Sequence, residues 1–271
     1  MQEKVSVIVT TYNRRHFLEE ALESVSSQIY RNFEVIVVDD GSSDGSEEVA
    51  LKYGVRYVWQ KNSGISAARN LGFKLGSGEF IAYLDADDLW EKEKLDKQVK
   101  YLSKHTEYPL CYTDETWLRN GSFLNQSEKH RKTGGDIFSL CLPICRISPS
   151  SALFRRRVLE SYSFDERLPV CEDYDLWLRI SRDHPVGYIP ERLIVKRGGH
   201  ADQLSRKYPA MDIYRIRALR KLLAGENLNR GRRELVESEI NRKSVIVSRG
   251  AWKRGRLLRS LRYLYFSLRY S

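Results

Sequence analysis

The first 104 residues alternate between short apolar runs and amphipathic helical patterns, and this alternation restricts the fold more than any other feature. Runs rich in β-branched residues predict strands at residues 5–13, within 33–46, at 55–60 and at 79–84. Apolar positions at helical spacing predict helices near 15–27, 46–53, 64–76 and 91–104. Strands that alternate with helices form βα units around a mostly parallel sheet, which the helices cover on both faces. The sequence therefore predicts an α/β fold.

The pattern is looser after residue 104. Short strands are predicted at 110–113, 151–154 and 186–195, with a helix at about 173–183. From Ser205 onward the patterns are helical only, at about 209–224, 231–248 and 252–268. We therefore expect an α/β domain of residues 1–205, followed by a helical C-terminal extension of residues 206–271.

Three of the predicted strands end in polar clusters, at Thr10–Asn13, Asp39–Ser42 and Asp85–Asp88. Ligands of open α/β sheets bind beyond the carboxyl ends of the strands, so the three clusters predict a site. The acids of the third cluster are hard oxygen ligands of the kind that Mg²⁺ or Mn²⁺ prefers, together with substrate phosphates. The alternative is a solvated acidic turn before the helix near Glu91.

Nucleotide-binding loops of the common kinds are missing from the sequence. No G-x-G-x-x-G run follows the first strand, and no Walker A loop occurs. A nucleotide would therefore be held by strand-end groups, a metal and helix termini. We assign Asp40 to the ligand and Gly41 to a close turn of the backbone, whereas Asp44 and Ser46 are expected to cap the next helix.

Five motifs stand in a recognisable order: "VSVIVTTYN", "VVDDGSSDGS", "NSGISAARN", "YLDADD" and "CEDYDLWLRI". Together they closely resemble the GT-A glycosyltransferases of glycosyltransferase family 2, over roughly residues 4–200. The resemblance implies a Rossmann-like GT-A sheet, a nucleotide-sugar donor, a divalent metal and inversion at the anomeric carbon. Residues 1–205 would then form the catalytic domain.

The resemblance also implies roles for the donor-side residues. Thr10, Tyr12 and Asp40 match the positions that hold uridine or another nucleoside, and Arg69 lies in the donor-side segment. Asp85 and Asp87 match the D-x-D motif of the family. Asp87 would bind the metal directly, Asp85 would face the ribose or a metal-bound water, and Asp88 would be a spare acid.

The later acidic motif implies the catalytic base. Asp173 takes the place of that base, which would remove a proton from the acceptor hydroxyl. From the residues alone, the carboxylates of Glu172 and Asp173 could merely stabilise the positive N-terminal end of the helix that follows. His200 would complete the metal shell or touch the diphosphate, although a lone histidine is commonly a surface residue. Ser150 and Ser151 either contact sugar hydroxyls or form a turn before a strand.

Composition favours a soluble, cytoplasmic protein. No apolar run approaches the roughly 18 residues that a membrane-spanning helix needs, and no secretory signal precedes Val5. The four cysteines lack zinc-site spacing, which indicates reduced structural thiols.

The C-terminal extension carries the excess positive charge. Residues 206–271 hold 18 Lys and Arg against 5 Asp and Glu, whereas the rest of the chain is slightly acidic. Within residues 250–271, arginines alternate with leucines and aromatic residues, a pattern typical of helices that lie on an anionic membrane surface. A helix packed on the catalytic body is the alternative, and no nucleic-acid-binding motif is present.

These observations predict an inverting, metal-dependent glycosyltransferase that uses Mn²⁺ or Mg²⁺ and a nucleotide-diphosphate sugar, with a UDP-sugar favoured. The acceptor would be a saccharide or a lipid-linked sugar in bacterial-type polysaccharide or glycolipid assembly, reached from the cytoplasm or the inner face of the membrane. Two alternatives remain: a catalytically silent nucleotide-sugar-binding partner at the membrane surface, and a nucleotidyltransferase.

Overall fold

A computed structural model describes residues 3–200, 203, 207–208, 210–225 and 228–270. Its strands are β1 Val5–Thr11, β2 Phe33–Asp39, β3 Arg56–Trp59, β4 Phe80–Asp85, β5 Leu89–Trp90, β6 Leu110–Arg119, β7 Ser122–Phe123, β8 Ala152–Arg155 and β9 Gly187–Gly198. The α-helices are α1 Arg15–Ser26, α2 Ser46–Lys52, α3 Ile65–Leu75, α4 Lys94–Lys104, α5 Phe138–Cys141, α6 Arg156–Ser161, α7 Glu172–Asp183, α8 Asp212–Ala224, α9 Arg230–Trp252 and α10 Leu257–Arg269.

The strands form one sheet in the order β3-β2-β1-β4-β8-β6-β9-β5, with β7 paired to β6. β3, β2, β1 and β4 run parallel to one another, as the βα pattern predicts. β8 joins β4 in the antiparallel sense, and β6 and β9 then run parallel to each other. The predicted α/β class is confirmed, and a helical C-terminal segment is present.

The antiparallel strand β8 brings distant segments to one edge of the sheet. Because Ala82 pairs with Leu153 in opposite directions, the residues before β8 lie beside the residues after β4. β6 is antiparallel to β8 as well, so β6 and β9 point the same way as β4. The carboxyl ends of β1, β2, β4 and β9 consequently share this edge, together with the 3-10 turn Pro149–Ser151.

Several sequence-based boundaries differ from the structure: the helices expected at 231–248 and 252–268 span Arg230–Trp252 and Leu257–Arg269, and strand pairing explains two other differences. The helix expected to begin near residue 91 begins at Lys94, because contact with β9 continues past Trp90: the backbone nitrogen of Glu91 donates to the carbonyl of Leu193 at 2.9 Å. The strand expected at 110–113 continues to Arg119, where its pairing with β9 persists across a register shift. Local patterns do not reveal such long-range pairing.

Helix α3 lies unusually close to the sheet at Gly72. A Cβ atom at this position would be 2.3 Å from Cγ2 of Ile8 on β1. Only glycine permits this approach without displacing β1. The close packing sets the height of α3 above the sheet, and thereby the position of Arg69 one turn earlier.

The C-terminal helices share a core with the α/β part. Ile216, Leu219, Val236 and Ile240 belong to the same cluster of buried apolar residues as Trp177 on α7. The division between residues 205 and 206 stays a prediction. Among the described residues, every helix is too short or too polar to cross a bilayer.

Candidate active site

A cavity of about 1230 Å³ opens at the edge where the strand ends meet. Seven of the eight predicted site residues line it, namely Thr10, Tyr12, Asp40, Arg69, Asp85, Asp87 and Asp173. These residues come from the ends of β1, β2 and β4 and from the starts of α3 and α7. The cavity is larger than a typical small-ligand pocket, so it has room for a donor together with part of an acceptor.

Asp40 is buried and already engaged with the protein. One carboxylate oxygen accepts hydrogen bonds from Gln60 Nε2 at 2.6 Å and Ser63 N at 2.8 Å, and the other accepts from Gly64 N at 2.9 Å. An ionised carboxylate offers about four acceptor positions, so capacity remains for one donor from a ligand. Asp40 thus fixes the loop that precedes α3 as well as facing the cavity.

The turn after Asp40 depends on glycine. Gly41 has φ +94°, and a Cβ there would lie 2.9 Å from the backbone nitrogen of Asn62. Glycine is therefore required here by the close approach to Asn62, and the close passage of this turn past a ligand stays a prediction. The N-cap position of α2 is Gly45, so neither Asp44 nor Ser46 is the N-cap residue that the sequence predicts. Asp44 lies one residue earlier and accepts hydrogen bonds from the backbone nitrogen of Ser46 at 3.1 Å and from its hydroxyl at 2.6 Å.

Arg69 links the two acidic motifs. Its guanidinium donates to Asp85 at 2.6 Å and to Glu172 at 2.7 Å, and it lies over the ring of Phe164. Burial opposes its charge, but Asp85 and Glu172 outweigh burial and hold the pKa of Arg69 above its usual value. Asp85 is therefore paired with a buried cation at the floor of the cavity.

Asp87 lines the cavity beside a second arginine. Its carboxylate is 3.5 Å from Arg14, a residue that the sequence motifs do not single out. Burial and the neighbouring Asp85 raise the pKa of Asp87, and Arg14 and His200 oppose the shift. The local charge thus favours a cation beside Asp87.

His200 is the predicted residue that does not line the cavity. Its ring packs against Phe17 with the centroids 4.5 Å apart. Its Nε2 atom is buried and has no hydrogen-bond partner among the described residues. An unpaired ring nitrogen near Asp87 suits a metal ligand, although the described part of the chain contains no group of three or more acidic, His or Cys side chains placed to hold one ion.

Asp88 and the nearby serines have structural partners. Asp88 accepts hydrogen bonds from Ser150 Oγ at 2.6 Å and from the backbone of Arg197 at 3.2 Å, and it ties β4 to the 3-10 turn and to β9. Ser150 and Ser151 are fully buried in that turn. Of the two interpretations given to these serines, the structure supports the turn, and Asp88 is not a spare acid.

The start of α7 delivers the last acids. Cys171 precedes the helix with φ +62°, a left-handed conformation that non-glycine residues rarely adopt. This turn points Glu172 and Asp173 toward the cavity, where Glu172 meets Arg69. Burial and the adjacent Asp173 raise the pKa of Glu172 to about 7, against the effect of Arg69. Strained backbone of this kind is common at functional sites.

A half-buried lysine on β9 also lines the cavity. Lys196 was not predicted, because one lysine in a strand carries no local signature. Burial opposes its charge, but Glu115, Asp88 and Asp173 raise the pKa of Lys196 above its usual value. The amine therefore stays positive inside an acidic cavity.

Comparison with known proteins places the chain in a family. The sequence pattern described as glycosyl transferase family 2 matches residues 6–163. The chain belongs to this family. One relative is WfgD of Escherichia coli, which is named as a UDP-Glc:alpha-D-GlcNAc-diphosphoundecaprenol beta-1,3-glucosyltransferase. WfgD is 31% identical to this chain over 189 residues, which cover 68% of this chain and 72% of WfgD. The chain spans about a third of the length of three matching uncharacterized glycosyltransferases from Rickettsia felis, Rickettsia bellii and Rickettsia conorii.

Solved structures agree on the fold of this family 2 member. TarS of Staphylococcus aureus in complex with UDP-GlcNAc aligns with TM-score 0.78 at 20% identity, covering 97% of this chain and 81% of that one. The mannosyltransferase PcManGT of Pyrobaculum calidifontis, in complex with GDP-Man and Mn²⁺, aligns with TM-score 0.61 at 18% identity, covering 99% and 86%. At these identities the likeness establishes the GT-A-like fold alone.

Proposed function

We propose that this protein is an inverting, metal-dependent glycosyltransferase that moves a sugar from a nucleotide-diphosphate sugar to an acceptor hydroxyl. The observation that carries the proposal is the cavity, which brings Asp40, the Asp85–Asp87 pair and Asp173 together from three separate motifs. In the family to which the chain belongs, these motifs serve donor, metal and acceptor chemistry in the same order.

The donor side supports a nucleotide sugar. Thr10, Tyr12 and Asp40 line one part of the cavity, and the remaining acceptor capacity of Asp40 suits an N–H group of a nucleobase. WfgD is named for UDP-Glc and the TarS structure is a complex with UDP-GlcNAc, which favours uridine. PcManGT binds GDP-Man, so the donor screen described below includes both bases.

The transfer step needs a base near the acceptor. Asp173 would take the proton of the acceptor hydroxyl while that oxygen attacks the anomeric carbon from the side opposite the diphosphate. The new C–O bond forms as the bond to the diphosphate oxygen breaks, and the electron pair leaves with the nucleoside diphosphate. Arg69 holds Asp85 and Glu172 in place during this exchange, since it bridges both.

The metal is proposed beside Asp87, which lines the cavity, with a contribution from His200, which lies outside the lining. Asp87 and His200 would hold Mn²⁺ or Mg²⁺, and oxygens of the donor diphosphate would complete a shell that these two side chains alone cannot fill. The metal would stabilise negative charge on the departing diphosphate. The Mn²⁺ in the PcManGT complex supports this assignment.

The proposed acceptor class rests on a relative of the chain, and the proposed membrane contact rests on the exposed face of α10. The lipid-linked acceptor named for WfgD supports a lipid-linked or saccharide acceptor in polysaccharide or glycolipid assembly. The exposed leucines of α10, bordered by arginines, support reversible contact with an anionic membrane surface, which fits a cytoplasmic protein at the inner face. No nucleic-acid partner is proposed.

A donor screen tests the proposal. Purified protein is incubated with UDP- and GDP-sugars, Mn²⁺ or Mg²⁺, and candidate undecaprenyl-diphosphate or saccharide acceptors, and release of nucleoside diphosphate is measured. We expect release that depends on the acceptor and stops in excess EDTA. Release of a sugar 1-phosphate, with the nucleoside monophosphate moved to the acceptor, would instead indicate a nucleotidyltransferase. Nucleotide binding without release would indicate a silent partner, and full activity in EDTA would contradict the metal.

A further inference from the structure

Cys145 contacts the proposed base. Its Sγ atom lies 3.2 Å from Oδ2 of Asp173, and the backbone nitrogen of Tyr174 donates to Oδ1 at 2.7 Å. Each oxygen of this carboxylate is therefore held by one donor. The orientation of Asp173 depends on Cys145, because Tyr174 alone would leave Oδ2 without a hydrogen-bond donor from the part of the chain that the structure describes.

The thiol is suited to donate. Burial, reinforced by the charge of Asp173, raises the pKa of Cys145 well above its usual value, so the S–H group stays intact. A thiol is a weak donor, but its acceptor here is a carboxylate, which strengthens the bond. The carbonyl oxygen of Ile147, at 3.3 Å, is the other acceptor within reach.

The segment around Cys145 is fixed from several directions. The hydroxyl of Tyr174 donates to the carbonyl of Leu142 at 2.5 Å, and Nζ of the fully buried Lys243 donates to the carbonyl of Pro143 at 2.7 Å. Nε of Arg146 donates to the carbonyl of Leu140 at 2.6 Å. These bonds leave the thiol little freedom to move away from Asp173.

We propose that Cys145 is a positioning residue that holds the carboxylate of Asp173 in the orientation needed for sugar transfer. The inference rests on the proposed function, since it concerns the base of that reaction. Lys243 on α9 supports Cys145 indirectly, because it donates a hydrogen bond to the carbonyl of Pro143, two residues before Cys145.

The test compares Cys145→Ala with Cys145→Ser, using the nucleotide sugar and acceptor that the wild-type protein accepts. The alanine variant loses the donor, so we expect kcat to fall by about 10-fold, a part of the 10²–10⁴-fold that a general base contributes. The affinity for the nucleoside diphosphate should not change. The serine variant should recover most of kcat, because its hydroxyl can also donate to the carboxylate.

Two controls identify how the residue acts. Cys111→Ala removes another buried thiol, on β6, whose Sγ bonds the carbonyl of Gln98, and it should keep the wild-type kcat. In an Asp173→Asn background, Cys145→Ala should lower kcat no further, since the group it positions is already lost.

Several results would overturn the inference. They are a wild-type kcat in Cys145→Ala, equal losses in the alanine and serine variants, or a further loss in the Asp173→Asn background. A wild-type protein that transfers no sugar would defeat the proposed function itself, and the inference with it. Because the first three results require an active wild-type protein, the two failures are distinguishable.

Discussion

At the scale of single residues, Arg69 is the group on which the site depends most. It is 2% exposed and compensates two carboxylates, Asp85 on the donor side and Glu172 beside the proposed base. Removing one partner of a buried ion pair commonly costs about 3–5 kcal/mol, because the remaining charge is left without compensation. The side chain of Arg69 therefore fixes the end of β4, which carries Asp85, relative to the start of α7, which carries Glu172.

Substitutions at Asp173 and Asp40 should separate chemistry from binding. Asp173→Asn removes the proposed base but keeps the shape of the side chain, so we expect kcat to fall by roughly 10²–10⁴-fold with unchanged affinity for the nucleoside diphosphate. Asp40→Ala should weaken that affinity by about 10-fold or more, because it removes an acceptor and also releases the Ser63–Gly64 backbone.

Calorimetric titration with UDP and steady-state kinetics measure the two effects. Asp40→Asn is the matched control for the loop, since its remaining oxygen can still accept from one of the two backbone nitrogens. If Asp173→Asn loses nucleotide affinity while Asp40→Ala keeps it, the assigned roles are reversed and therefore wrong.

The sequence predicted which acids would meet, but not their partners. Asp40, Asp85 and Asp87 end apolar strands, and parallel strands place such ends on one edge. The pairing of Arg69 with Glu172 joins residues 103 positions apart, and no local pattern encodes it. Arg14 and Lys196 were missed for the same reason. The buried orientation of the Asp88 side chain likewise depends on a distant residue, Ser150 in the 3-10 turn.

At the scale of elements, α10 has two distinct faces. Ser260, Tyr263 and Ser267 are buried against α9, where Ser248 and Ser260 exchange hydrogen bonds. The opposite face leaves Leu258 at 85% and Leu268 at 69% exposure, with other exposed leucines between them. The two sequence-based interpretations of this helix, packed on the body or free for a membrane, are therefore compatible with each other.

The exposed face of α10 should bind anionic vesicles. Leu261→Glu and Leu268→Glu place charges on that face without touching the face packed on α9, so binding to phosphatidylserine-containing vesicles should fall while the melting temperature stays the same. Binding by the wild-type protein should weaken from 0.15 M to 1 M salt, since the screening length drops from about 8 Å to about 3 Å. Vesicle co-sedimentation measures both effects.

Leu51→Glu is the control, because Leu51 is a similarly exposed leucine on α2. Equal binding to neutral vesicles would contradict an electrostatic contribution. A dimer that dissociates in Leu261→Glu would show that a second copy of the chain, and not a membrane, covers this face.

At the scale of the whole molecule, the C-terminal helices stabilise the α/β part as well as themselves. Leu219 on α8 and Ile240 on α9 lie in the same buried cluster as Leu176 on α7. Lys221 on α8 also pairs with Asp165 at 2.7 Å and with Asp175 on α7 at 2.9 Å. A cluster shared in this way couples the unfolding of the helices to that of the sheet, because neither part can keep its apolar surface covered alone.

The chain should therefore unfold in a single transition. Leu219→Ala on α8 and Leu176→Ala on α7 each remove a fully buried side chain, a change that typically costs about 2–5 kcal/mol, so both should lower the same melting temperature by roughly 5 °C or more. Leu235→Ala, at a half-exposed position on α9, should shift it much less. Differential scanning calorimetry distinguishes the cases. Two transitions, with Leu219→Ala moving only one of them, would mean that residues 206–271 form a separate unit and that their contact with α7 contributes little stability.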